Sequence, residues 1–347
     1  MPAQSVRFGI WGLVHGSRAA YGDPDEPYDA SWERNRDLVL EAERLGYELT
    51  LFAQHTMNPR DDQLAELEPW TSLAALSALT QRIELIAAIK PLLYHPVVLA
   101  KLALQIEHIS RGRFALNLVN AWNKTEIENA GIAFPPHDLR YAYGSEWISV
   151  VRQLLRGERV HHDGEHFHIH DYVLRPARTY RAQPPVYIGG ESEAARALAA
   201  THGEVWIING RPPHELAPLL EDVRLRARPT NMPPLRFALS AFPIARATAA
   251  EAHAHHEHLH ALAARDENKS RAARNVDPEV AMHKALKHIR HVGTNGGTAA
   301  GLVGSYDEVA SRLRAFVALG IDTFLLQFQP FETDMRNFAA HVFPRMR

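Results

Sequence analysis

Polar and aromatic side chains recur in this sequence where short apolar runs end. Trp11 and His15 follow the first run, Gln54 and His55 the second, and Lys90 the third. Asn120, Trp122 and Asn123 follow the fourth, Gly189, Gly190 and Ser192 the fifth, Asn209 the next, and Gln327 and Gln329 the last. This set is rich in amides and aromatic rings and poor in carboxylates. A neutral planar ligand suits it better than a divalent cation or a glycosidic bond, both of which call for acidic groups. GGES at 189–192 closes an apolar run and opens a helical pattern. Its amides can meet a phosphate at a helix N-terminus, or form an ordinary turn.

The 21 histidines raise the question of a metal. HHDGEHFHIH alternates within an expected hairpin, and HAHHEHLH lies on a helical pattern. Neither group follows an apolar run together with a carboxylate, so no catalytic metal is expected. His256 and His260 stand at i, i+4 on the helical pattern, the spacing of an adventitious metal site.

The elements that must position these groups are legible as a rhythm. Strands are expected at 6–12, 49–54, 83–89, 114–121, 184–190, 204–209, 235–245 and 323–328. Most are continuously apolar, as parallel strands covered by helices should be. Amphipathic stretches at 31–47, 96–110 and 305–320 alternate with them, the last with Ser305 as N-cap and Gly320 as C′ residue. Eight such units without a break in composition predict an α/β fold, a (β/α)8 barrel spanning 1–347 as one domain, with chemistry at the C-terminal strand ends. Two insertions interrupt it: a β-hairpin at about 159–177 around Asp163-Gly164, and a stretch at about 247–300 between strands seven and eight. The Gly- and Thr-rich end of the second, GTNGGTAAG, reads as a mobile lid at about 262–300 rather than a packed connection.

Composition narrows the rest. The chain has 347 residues, is 46% hydrophobic and carries a formal charge of −2. That charge gives no reason to expect nucleic acid or an anionic membrane as partner. With no cysteine, disulfides, thiolate zinc sites and a cysteine nucleophile are excluded. A targeting segment and an 18-residue apolar run are both absent from the sequence, which makes a cytoplasmic location the expectation.

Five longer segments, in order, resemble the bacterial-luciferase-like flavin monooxygenases, most closely their alkanesulfonate, dimethylsulfone and pyrimidine monooxygenase branch. They are AAIKPLLYHPVVLAK, ISRGRFALNLVNAWNKTEIENAGI, HDLRYAYGSEW, PPVYIGGESEAARALAA and GLVGSYDEVASRLRAFVALGID. The resemblance implies a TIM-like barrel that takes FMN as FMNH2 from a separate NAD(P)H-dependent flavin reductase and reacts it with O2. It places the phosphate near Arg140, Tyr141, Gly189, Gly190 and Ser192, and the ring among Trp11, Ala87, Ala88, Asn117 and Trp122. His55, Asn117, Asn120 and His15 are the implied catalytic groups. At His55 a neutral imidazole could take a substrate proton. Residue-level alternatives stay open: an Arg140 pair with Glu146 or Asp138, a structural hydrogen bond for Asn117, packing for Trp122, a structural role for His15. In IELIAAIKP the resemblance implies a non-prolyl cis peptide at Ala87-Ala88 behind the ring, where the pair otherwise fills a narrow core layer.

Departures bear on the substrate. Where sulfonate monooxygenases carry Arg and His on strand seven, this chain has Ser240 and Phe242, and a lid arginine is missing near Asn295 unless Arg290 moves in. Losing bidentate cations weakens the case for a sulfonate and favours a neutral sulfone or heterocycle, although Lys90 and Arg18 could still supply charge. The expectation is oxygenation of a small organosulfur substrate with C–S cleavage by a homo-dimer or homo-tetramer. A deazaflavin (F420)-dependent oxidoreductase and a catalytically silent flavin-binding protein are the alternatives.

Overall fold

The computed structural model describes residues 6–17, 22–26, 28–265, 286 and 288–346. Eight parallel strands close into a barrel: β1 (Arg7–Trp11), β2 (Leu49–Phe52), β3 (Glu84–Ile89), β4 (Phe114–Leu118), β7 (Val186–Gly189), β8 (Val205–Ile208), β9 (Arg236–Ala241) and β12 (Ile321–Leu326). Every expected strand contributes one. Helices α1 (Trp32–Leu45), α2 (Pro69–Leu79), α3 (Pro96–Ser110), α4 (Lys124–Asn129), α5 (His137–Leu155), α6 (Glu193–His202) and α7 (Pro213–Leu225) form much of the connections. After α8 (Ala249–Ala264), the chain ends with α9 (Tyr306–Ala318), α10 (Phe331–His341) and α11 (Phe343–Met346). Ser305 caps α9 in a full capping box, and Gly320 beyond it has φ 98°, both as expected. No helix among the described residues is long and apolar enough to cross a membrane.

The barrel interior is layered. Leu49, Leu51, Ile86, Ala115, Tyr187, Val205, Ile207, Ala238 and Leu325 form an apolar cluster with Trp11 packed against it. Side chains alternate across a strand, so the next inward positions toward the C-terminal end are Ala88, Asn117, Gly189, Ser240 and Gln327. The apolar layer is therefore the floor and the polar layer the working surface. Ala87 lies on the other face of β3 and belongs to the larger cluster shared with the helices.

Three expectations are revised. The ladder runs unbroken through β3, with Ala87 opposite Phe52 and Leu116 and Ala88 opposite Asn117. Both cis peptides among the described residues precede prolines, Pro176 and Pro330, so the Ala87-Ala88 bond is trans. Ala87 has an in-register partner on both sides and Ala88 one on β4, which is a regular ladder. The run at 235–245 divides at Pro243 into β9 and β10 (Ile244–Arg246), which pairs with β11 (Val303–Ser305) outside the barrel. Around the proline, Phe242 N–H donates to Gly297 O at 3.0 Å and Ile244 N–H to Leu302 O at 2.8 Å. Finally, the GTNGGTAAG end of the supposed lid is a packed connection. Val292 and Thr298–Ala300 are buried, and Gly210 N–H donates to Asn295 O at 2.9 Å. A Cβ on Gly296 (φ 85°) would lie 2.2 Å from Gly210 O, so the glycines permit close approach rather than motion. Residues 266–285 and 287 of the proposed lid lie outside the described residues.

The first insertion is the expected hairpin, β5 (Val160–Asp163) against β6 (His168–Tyr172). Glu146 of α5 anchors it, accepting from His166 N at 3.1 Å and Phe167 N at 3.0 Å and meeting His162 Nε2 at 3.0 Å.

Candidate active site

Two groups of side chains converge on the C-terminal rim. The first centres on His55, which follows β2 and is 7% exposed. Its Nδ1 lies 2.8 Å from Glu126 Oε2, and Lys90 Nζ donates to the same oxygen at 2.6 Å. Lys90 Nζ is also 3.1 Å from His55 Nδ1. The second carboxylate oxygen, Oε1, accepts from Thr56 N at 2.7 Å and Thr56 Oγ1 at 3.2 Å. Burial opposes ionisation of Glu126, yet the His55 hydrogen bond and the Lys90 charge outweigh it and bring the carboxyl down to about 2. Donation from Nδ1–H to the carboxylate makes Nε2 the basic nitrogen of the ring, whereas donation from Lys90 to Nδ1 puts the ring hydrogen on Nε2. The arrangement can hold or move one proton at Nε2.

Each member is placed by local structure. Gln54 Oε1 accepts from Lys90 N at 2.7 Å, tying the ends of β2 and β3 together. Asn123 caps α4, its side chain accepting from Glu126 N at 3.3 Å, which fixes the turn that carries Glu126. Trp122 meets the His55 ring edge-on at a centroid distance of 5.3 Å, and His15 does so at 6.0 Å. His15 Nδ1 is 3.2 Å from Glu66 Oε1. Trp11 closes the floor, its Nε1 donating over β12 to Ser240 Oγ of β9 at 3.1 Å.

The second group surrounds the start of α6. Ser192 is its N-cap and accepts from Ala195 N at 3.2 Å. Burial raises the Tyr141 phenol, and the Ser192 and Asn120 side chains beside it act in the opposite direction. Gly190 has φ 114°, and a Cβ there would sit 3.1 Å from Ala195 Cβ and 3.2 Å from Tyr141 Oη. Gly144 of α5 likewise lets Asn120 Oδ1 approach to 2.6 Å of where a Cβ would stand. Asn117 Oδ1 and Asn120 Nδ2 are buried without a hydrogen-bond partner. A buried amide atom left unpaired costs about 1–3 kcal/mol, a cost that a ligand's polar group can relieve.

Arg140, expected beside the phosphate, donates to Pro135 O at 2.6 Å and stacks over the Phe134 ring at 4.0 Å. Neither Glu146 nor Asp138 is its partner in those contacts. The backbone N–H of Asn209 donates to Glu191 Oε1 at 2.8 Å, and Gln327 Nε2 donates to Thr294 Oγ1 at 3.0 Å and to Thr294 O at 3.2 Å. Gln329 Nε2 donates to Asp23 Oδ2 at 2.7 Å. Glu191 also pairs with buried Arg211. Arg290 forms a double hydrogen bond with Glu257 on α8, and Arg18 lies outside the described residues.

The groups that sequence reasoning missed are acidic. Strand ends are poor in carboxylates, but Glu126 and Glu66 reach the rim from a helix and a loop. Lys90 was visible only as a stray charge. The one local signal for Glu126 was its place three residues after the capping Asn123.

The luciferase-like monooxygenase family matches residues 6–323. Among solved structures, riboflavin lyase with modified FMN and riboflavin superposes with a TM-score of 0.77 at 21% identity, covering 98% of this chain and 91% of that one. EDTA monooxygenase from Chelativorans sp. BNC1 gives 0.79 at 17% identity, covering 99% and 93%. An F420-dependent secondary alcohol dehydrogenase in complex with an F420–acetone adduct gives 0.70 at 15% identity, covering 99% of each chain. With a closed eight-stranded barrel, a polar C-terminal rim and a family match over nearly its whole length, this chain belongs to the luciferase-like monooxygenases.

Proposed function

We propose that the chain is the oxygenase of a two-component system, taking FMNH2 from a separate NAD(P)H-dependent flavin reductase and using it with O2 to oxygenate a small neutral organosulfur substrate. The observation that carries this reading is the pair of unpartnered amide atoms, Asn117 Oδ1 and Asn120 Nδ2, beside the Gly190–Ser192 helix start. Amides with both donor and acceptor character match the edge of a flavin ring, and a capped helix N-terminus beside Tyr141 matches its phosphate. The residues present therefore fit FMN: Ser192, Gly190 and Tyr141 would hold the phosphate, and Asn117, Asn120, Ala88 and Trp11 would face the ring. Bound and reduced, the flavin supplies the electrons that activate oxygen.

The chain's own residues do the rest. His55, oriented by Glu126, presents a basic Nε2 that accepts or returns a substrate proton. Trp122 and His15 pack against its ring and limit water there. Two cations among the described residues support a neutral substrate, Lys90 being committed to Glu126 and Arg211 to Glu191. A sulfonate would compete with those carboxylates for its cation. Sulfones and sulfur heterocycles, with C–S cleavage to sulfite or sulfinate, are the substrate class proposed.

The test is reconstitution. Purified chain, a flavin reductase, NADH and FMN are incubated with sulfones, sulfonates and heterocycles, and sulfite release and product mass are measured. Substrate-dependent product from a sulfone or heterocycle is expected. Spectroscopic titration with FMNH2 and with reduced F420 accompanies it; binding of reduced F420 alone would assign the site to deazaflavin chemistry, and binding of neither would end the reading.

A further inference from the structure

Away from the barrel rim, α8 carries the sequence HEHLH at 256–260, which has the H-E-x-x-H spacing of helical metal sites. His256 and His260 project from one face with ring centroids 4.4 Å apart. One ligand atom from each of His256, Glu257 and His260 lies within 4.8 Å of the others. Thr298 Oγ1 accepts from Val292 N at 3.0 Å and lies 3.0 Å from His256 Nε2. The hydroxyl oxygen keeps a second lone pair, which can accept from Nε2–H. A neutral imidazole that donates there has its own lone pair on Nδ1, the atom left to ligate a metal.

We propose that His256, Glu257 and His260 form a site for a divalent transition metal of the zinc class, separate from the flavin-type rim. Two imidazoles and a carboxylate suit zinc, whose bonds of about 2.0–2.1 Å require the three ligand atoms to close by up to about 1.5 Å through side-chain rotation. The present partners define what binding displaces. Glu257 is held by Arg290 at 2.9 and 3.0 Å, so the metal and the guanidinium compete for one carboxylate. This competition also separates the site from a metalloprotease centre, where the glutamate is kept as a base rather than recruited as a ligand. The site would join α8 to the packed 292–300 connection through His256.

Zinc chloride titrated calorimetrically into the full chain without flavin is the experiment, with cobalt(II) absorption reporting coordination geometry. One zinc per chain is expected, with tetrahedral cobalt bands. His256→Ala and His260→Ala should each weaken binding more than about tenfold, and Glu257→Gln should weaken it less. Arg290→Ala should tighten it by releasing the carboxylate. His161→Ala with His170→Ala, which removes the hairpin pair whose rings lie 5.4 Å apart, should leave it unchanged. Undiminished zinc binding by the His256 and His260 variants, or loss in the hairpin variant, overturns the proposal, as does an Arg290→Ala chain that binds zinc no tighter than wild type. Melting curves without metal identify any variant that fails to fold.

Discussion

Lys90 Nζ lies 2.6 Å from Glu126 Oε2, both side chains almost wholly buried, and the same oxygen meets the His55 ring at 2.8 Å. One carboxylate thus serves as counter-ion to a buried ammonium and as the group that orients an imidazole. The two duties can be separated by mutation.

Glu126→Ala strands the Lys90 charge in the interior, and breaking a buried pair from one side costs about 3–5 kcal/mol. Replacing both partners, as Glu126→Gln with Lys90→Met, should recover most of that stability in urea denaturation. Activity should stay low in both variants, because neither offers His55 a carboxylate. Full activity in the double variant would show that Glu126 does not orient the ring.

His55→Ala and Asn117→Ala should leave the fold intact and lower product formed per NADH consumed, with the difference appearing as hydrogen peroxide. A loss of about 10²–10⁴-fold in product rate is the scale of a missing general acid–base group. If both variants keep wild-type coupling, the assignment of this rim as the reacting surface fails.

Gly190→Ala places a side chain at φ 114° beside Tyr141 Oη, a backbone position that costs about 1–3 kcal/mol for a non-glycine residue. FMN affinity should fall in that variant, and in Tyr141→Phe, by roughly tenfold, the size of one hydrogen bond. Riboflavin, which lacks the phosphate, should bind wild type and Tyr141→Phe equally. Equal losses for FMN and riboflavin would move the phosphate elsewhere.

Acid stability offers a test independent of catalysis. Burial, then Arg152, hold His202 down to about 4, and burial, then His260, do the same for His256. A histidine whose folded value lies below its unfolded value of 6.5 binds protons more readily when unfolded. Its contribution is therefore complete above pH 6.5 and lost as pH falls through about 4. Melting temperature should drop across that window, and His202→Asn should flatten the drop. A variant profile parallel to wild type would show that His202 does not titrate there.

All eight barrel strands were legible as runs, because a parallel strand buried on both faces must be apolar throughout. The Ser305 N-cap and the hairpin were legible because their signals lie within a few residues of each other. What failed to read was set by distant partners. The run at 235–245 looked like one strand, yet Pro243 and the backbone of 297–302 divide it. The glycines of GTNGGTAAG looked like slack, since nothing local shows that Gly296 packs against Gly210. Ala87 and Ala88 read as a pair, but strand alternation gives only Ala88 to the barrel interior. Glu126 is the sharpest case: it lies 71 residues from His55 and 36 from Lys90. Local pattern alone determined which segments become strands and helices and which polar residues cap them. Barrel closure decided which of those residues meet, because it brings eight strand ends to one rim and leaves a buried charge stable only where a distant partner reaches it.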